Sequence, residues 1–212
     1  MDSYFKTVWL LFLGVTFFAC TQQNEIEKVT IGNQVWSSSN YKGESFLNGD
    51  KIPEVKSESA WIEAAELGKP AWCYYGNDAS NEASYGKLYN WYVLNDARGF
   101  APDGWRIPSA SDWDLLAKTL GGTEVAGKAM KSISGWEDNG NGTNSSGFNG
   151  APGGYRTHLG TFGTMGPNGS FWSVEEASGK DGWTRDLYFY DDKLTEGKYP
   201  KGYGFSVRLI KE

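Results

Sequence analysis

What most constrains this chain is where its two hydrophobic periods fall. Helical spacing occurs only ahead of residue 132, whereas beyond Trp136 the apolar residues come in short runs cut by Gly, Asn, Asp and Pro. A doubly wound fold needs helices alternating with strands along the whole chain. This segregation instead predicts an α+β domain, with two to three short helices, mainly in the first half, packed on a loop-rich, mainly antiparallel sheet. The clearest helix opens at Ser109, after Pro108. Asp112 three residues on supplies a variant capping box, Trp113, Leu116, Ala117 and Leu120 form one apolar stripe, and Gly121-Gly122 offers the left-handed stop. Shorter helices are expected over 57–67, with Trp61, Ala64 and Ala65 on one side, over two to three turns after Ser84 on Leu88, Trp91, Tyr92 and Asn95, and around 124–132. Residues 29–36 read as a hairpin around Gly32-Asn33, and strands are expected within 150–157, 170–174, 183–190 and 203–210. Leu187 and Phe189, and Phe205, Val207 and Leu209, alternate as half-buried strands do.

Such short elements need large side chains to make a core and glycines to make turns. The chain has both, with 10 Trp, 12 Tyr and 11 Phe beside 28 Gly. That balance excludes disorder, which is poor in aromatics, and a coiled coil, which is poor in glycine. Lys and Arg number 20 against 26 Asp and Glu, a net charge of −6 with no basic cluster. Phosphate contacts need a basic footprint, so nucleic acid is excluded as an expected partner.

Residues 8–19 (V-W-L-L-F-L-G-V-T-F-F-A) form an apolar run of twelve. A spanning helix takes about 20, so this run has the length of a signal-peptide core. It ends in Ala19-Cys20, which resembles a bacterial lipobox, although Phe17 stands where Leu is usual. The expectation is a lipoprotein signal peptide (1–19), acylation at Cys20, a polar tether (20–28) and one domain (29–212). An ordinary secretory signal and a short membrane anchor are the alternatives. Acylation would place the chain at the bacterial outer membrane and leave Cys73 the one remaining thiol, with no disulfide within the chain. Between Trp72 and Tyr74, that cysteine reads as a small buried hydrophobe.

Catalytic constellations are sparse. His158 is the single histidine and there is no G-x-S-x-G context for a serine hydrolase. One His and one Cys do not make a usual zinc set. Glu137-Asp138, Glu175-Glu176 and Asp191-Asp192 are adjacent pairs, and neighbours on a strand point to opposite faces, unlike the opposed carboxyls of a glycosidase. The G-N-G-T-N-S-S-G run (140–147) is neither a phosphate loop nor a dinucleotide fingerprint. The chain is therefore expected not to be an enzyme, and no cofactor is expected.

Taken together, several blocks resemble the Fibrobacter succinogenes major paralogous domain. They are V-T-I-G-N-Q-V-W (29–36), A-W-C-Y-Y (71–75), Y-G-K-L-Y-N-W-Y (85–92), G-F-A-P-D-G-W-R-I-P-S (99–109), D-W-D-L-L (112–116), S-G-W-E-D-N-G-N-G-T-N-S-S-G-F (134–148), P-G-G-Y-R (152–156), F-W-S (171–173) and G-F-S-V-R (204–208). The family is similar to C-type-lectin-like domains and, more distantly, to the formylglycine-generating group, whose reactive cysteine pair this chain lacks. The resemblance implies an exported, often lipid-anchored surface protein with a C-type-lectin-like fold, and it implies no reaction. Packing is the expected role of Trp105, Trp172 and Phe205, and ion pairs with Asp or Glu that of Arg156 and Arg208.

The expected function is a surface binding module for a glycan or an extracellular protein. The alternatives are a structural subunit of a surface assembly and an unrecognised enzyme. Trp136 and Tyr155 are candidate sugar-stacking faces, with Asp138, Asn141 and Asn144 as candidate polar contacts. Glu137, Asp138 and Asn139 supply the hard oxygens that calcium takes, but Asn149 occupies the position where an EF-hand loop carries its closing Glu.

Overall fold

The computed structural model describes residues 25–163 and 165–212. The expected signal peptide, Cys20 and the first part of the expected tether lie outside the described residues. Among the described residues, no helix is long and apolar enough to cross a membrane.

The hairpin forms as expected, with β1 (Lys28–Ile31) and β2 (Gln34–Ser37) placing Ile31 opposite Gln34 across Gly32-Asn33. Helix α1 (Glu58–Glu66) starts at Ser57, whose hydroxyl accepts the Ala60 N–H, and buries Trp61 and Ala64. Short pieces follow: β3 (Trp72–Cys73), α2 (Glu82–Tyr85), β4 (Leu88–Tyr89), α3 (Trp91–Leu94) and β5 (Trp105–Arg106). Helix α4 (Ala110–Thr119) has the full capping box read from Ser109 and Asp112 and buries Trp113, Leu116 and Ala117. Gly121 then takes φ +99°, a left-handed backbone a side chain would resist. After α5 (Ala126–Met130) come β6 (Tyr155–Arg156), β7 (Phe162–Gly163), β8 (Asn168–Glu176), β9 (Asp181–Tyr188), β10 (Thr195–Pro200) and β11 (Ile210–Lys211).

These strands do not make one sheet. They pair antiparallel as β1-β2-β11-β5, β10-β9-β8, β3-β4 and β6-β7. Three further expectations are corrected. The helix after Ser84 is interrupted, because Gly86 turns at φ +71° and Leu88–Tyr89 pairs with Trp72–Cys73. Among the described residues there are five short helices, two of them past the midpoint. Finally, Phe205, Val207 and Leu209 do not lie on a half-buried strand: every residue from Gly204 to Ile210 is buried. Strand β10 was not expected, since T-E-G-K-Y-P carries two charges, a glycine and a proline where a strand pattern needs apolar residues.

That double burial explains the core. Strand β8 is a partition, with Trp172 in one cluster beside Tyr89, Trp91, Phe205 and Leu209, and its neighbour Phe171 in a second beside Trp36, Trp113, Phe148 and Leu187. Consecutive residues of a strand point to opposite faces, so each side feeds a different core. Trp105, Trp172 and Phe205 are all buried, as expected. A small third cluster joins Trp61, Ala64, Ala71, Cys73 and Leu88.

Cations thread these aromatic layers. Arg156 lies over Trp61 and Phe162, and Arg208 over Phe148 and Phe171. Among the described residues, neither makes the expected ion pair. Arg156 donates to the carbonyls of Gly160, Val55 and Lys56, and Arg208 also spends its N–H groups on uncharged oxygens. Carbonyl oxygens and ring faces replace water around each guanidinium, which a buried cation requires.

Candidate functional site

The site is built on Arg208. Its Nε donates to Asn40 Oδ1 at 2.8 Å, its Nη1 to the carbonyls of Ser37 (2.9 Å) and Phe148 (2.6 Å), and its Nη2 to the carbonyl of Asn149 at 2.9 Å. One side chain thus ties together two loops more than 100 positions apart in sequence. Burial alone pulls its pKa down to about 9, so it stays charged at neutral pH.

A cleft of about 740 Å³ opens between these two loops, with the lead-in to β1 as its third wall. Ser37, Ser38, Ser39, Asn40 and Tyr41 line one side, Asn144, Gly147 and Asn149 another, and Glu25, Ile26 and Glu27 the third. The volume is within the range of sites that take small molecules. Asn40 is fully engaged, donating to the Tyr85 carbonyl and to Ser206 Oγ while accepting from Arg208. By contrast, the hydroxyls of Ser38, Ser39 and Tyr41 and the side-chain nitrogen of Asn144 have no hydrogen-bond partner among the described residues. Burial raises the Tyr41 phenol pKa, keeping it a neutral donor.

The second wall holds its shape through asparagine chemistry. Asn144 and Asn149 adopt left-handed backbones, at φ +48° and +54°, which Asn tolerates better than most residues. Asn144 Oδ1 accepts the Asn149 N–H at 2.7 Å. The loop is anchored to the end of α5, where the Thr143, Asn144 and Ser146 N–H groups donate to the carbonyls of Lys128, Lys131 and Ala129.

Of the residues expected to bind ligand, only Asn144 reaches this cleft. Trp136 is corrected: its ring is 5% exposed, its Nε1 donates to Ser132 Oγ and Lys131 Nζ lies 5.4 Å from its centroid, so it has no free face for a sugar. Asn141 serves the same turn, accepting the Trp136 backbone N–H. Tyr155 packs against Tyr203 and Phe205 and is half-buried. Glu137, Asp138 and Asn139 form an exposed turn, and among the described residues no three His, Cys, Asp or Glu side chains cluster as a metal-holding group. The serines and Tyr41 were missed because residues 37–41 (S-S-S-N-Y) carry neither charge nor periodicity. Their one signal is an uninterrupted run of neutral hydrogen-bonding groups.

The remaining reactive side chains are placed elsewhere. Cys73 is fully buried, and burial pushes its thiol up to about 12. His158 stacks on Tyr203, with ring centroids 5.4 Å apart. On β9, Asp186 is fully buried; its Oδ2 accepts the Thr184 hydroxyl at 3.1 Å while Oδ1 has no partner among the described residues. Burial lifts its pKa to about 6, and Gly197 passes so close that a Cβ there would land on the carboxylate.

The blocks that build both cores and the Arg208 brace coincide with one family model, that of the Fibrobacter succinogenes major domain, which matches residues 29–211. The chain belongs to this family. The Fibrobacter succinogenes major domain thus covers nearly every element described above, including both loops of the cleft. Comparison with curated proteins gives no match, and neither does comparison with solved structures.

Proposed function

We propose that this chain is a lipid-anchored binding module of the bacterial cell envelope, carried at the outer membrane through Cys20, whose cleft takes an uncharged, hydroxyl-rich ligand of glycan type. The observation that carries this reading is the cleft itself. Neutral hydroxyl and amide groups without internal partners face a space of about 740 Å³, on walls held rigid by a buried arginine. Preorganised neutral donors and acceptors, with a tyrosine among them, suit sugar hydroxyls better than a charged or a purely apolar ligand. Membership of the Fibrobacter succinogenes major domain family supports a surface role. The short antiparallel sheets and few short helices are compatible with a C-type-lectin-like arrangement. The buried thiol and the stacked histidine favour binding without catalysis.

The test is a binding screen of residues 21–212 against glycans and extracellular proteins, run with calcium and with chelator. A saturable glycan signal that is lost in Asn144→Ala and Ser39→Ala supports the reading, and loss with chelator adds calcium to it. A protein hit or self-association without any glycan signal transfers the assignment to a subunit of a surface assembly. Cys20→Ser abolishes membrane partition if the anchor is acyl; unchanged partition refutes the anchor.

A further inference from the structure

The third wall of the cleft has a position that the other two lack. Glu25, Ile26 and Glu27 line it, and five residue steps separate Glu25 from Cys20. An extended chain advances at most about 3.6 Å per residue, so the two Cα atoms lie within about 18 Å of each other whatever path the chain takes. The polar headgroup layer of a bilayer is several ångströms deep on each side of about 30 Å of hydrocarbon. An acyl anchor on Cys20 would therefore keep this wall of the cleft within about 18 Å of the membrane-embedded residue.

We infer that the cleft opens toward the membrane carrying the anchor and takes the uncharged sugar headgroup of a lipid in the same leaflet; the inference rests on the lipid-anchored, glycan-type reading above. Charge decides against a phosphate headgroup. Among the described residues, two carboxylates, Glu25 and Glu27, and one cation, Lys42, line the cleft, and the N–H groups of Arg208 are directed at Asn40, Ser37, Phe148 and Asn149 behind the wall. Anchoring also answers the weakness of such a site. A few neutral hydrogen bonds give low affinity for a free sugar, but a ligand confined to the same leaflet is presented at a high effective concentration, which raises occupancy without any new contact.

The experiment uses the full chain, exported and processed, in phosphatidylcholine vesicles with or without monogalactosyl diacylglycerol. Backbone hydrogen exchange is read over residues 37–43 and 144–149. The expected result is exchange slowed by about tenfold or more when the galactolipid shares the vesicle with the protein. That slowing is expected to vanish in Asn144→Ala and in Ser39→Ala, each first shown to keep the wild-type urea midpoint. Equal slowing by methyl galactoside in solution, or by galactolipid in separate vesicles, overturns the membrane-facing assignment and leaves the cleft as a glycan site. No slowing in any arm overturns the inference, and the glycan screen then decides separately whether the binding reading survives. A processed chain without acyl groups on Cys20 overturns the inference together with the anchor of the proposed function, and leaves the glycan reading of the cleft to the screen.

Discussion

Asp186 makes stability depend on pH in a direction opposite to that of most carboxylates. It is fully buried, with no cation among its hydrogen-bond partners, and one of its oxygens is unpartnered among the described residues. Burial raises its pKa from 3.8 to about 6, so the folded state holds the proton more tightly than the unfolded chain does. Between these two values the unfolded state binds fewer protons, and stability falls as pH rises. The contribution is fully present below pH 4 and lost once pH passes about 6. At about 1.4 kcal/mol per tenfold change in proton affinity, the loss is about 3 kcal/mol. Asp186→Asn keeps the shape and an oxygen for Thr184 but cannot ionise. Urea unfolding followed by tryptophan fluorescence at pH 4, 5, 6 and 7 should show the variant gaining on the wild type by about 3 kcal/mol across that range. A difference between the two proteins that stays constant with pH refutes the argument. It would mean that water or a rearranged Ser170 solvates the carboxylate as well as bulk solvent does.

Three other outcomes follow from the geometry. Arg208→Lys replaces a fork with one ammonium that cannot reach four acceptors in two loops; it should lower the urea-derived stability by about 2–4 kcal/mol and weaken the proposed glycan binding with it. Cys73 should be inert to an aromatic disulfide reagent in the folded protein and react within seconds in denaturant, since its thiol is buried and shifted up to about 12. Ser109→Ala removes the reciprocal cap of α4 and should cost about 1 kcal/mol by thermal or urea unfolding. It should also raise the carboxyl pKa of Asp112. Burial pushes that group up, but the Arg106 guanidinium and Ser109 outweigh it and hold it at about 2.

Much of the fold was legible where the signal is local. Ser57, Ser109 and Gly121 mark helix ends because capping involves residues three or four apart, and the Gly32-Asn33 turn sets its own hairpin register. What was not legible depends on partners far away in sequence. The periodicity after Ser84 is genuine, yet Leu88–Tyr89 pairs with β3 because Gly86 turns the chain there. The alternation at Phe205, Val207 and Leu209 suggested a solvent face that does not exist, since Ser206 and Arg208 point into other buried layers. The site was harder still. Asn144 stood out in a Gly/Asn loop, but its companions at 38–41 are ordinary serines and a tyrosine that become a wall only through Arg208. Trp136 misled because an aromatic beside polar residues reads the same whether it is presented to solvent or folded under its own turn.

The stretch from Tyr203 to Lys211 joins parts of the fold that are far apart in sequence. Phe205 exchanges backbone hydrogen bonds with Tyr89, Gly204 with Arg156 and Ser206 with the β8 partition, while Leu209 binds Ser37 and Ile210 lies between Trp36 and Arg106. All of these partners leave the ribosome earlier. Residues 203–211 supply Phe205, Val207 and Leu209 to the first aromatic cluster, Ile210 to the second, and the arginine between the two loops. Loop-closure entropy on this scale makes such contacts slow to form. The same wiring means that residues 203–211 are the seam on which both aromatic clusters and the hairpin meet, so a change there is felt in every layer at once.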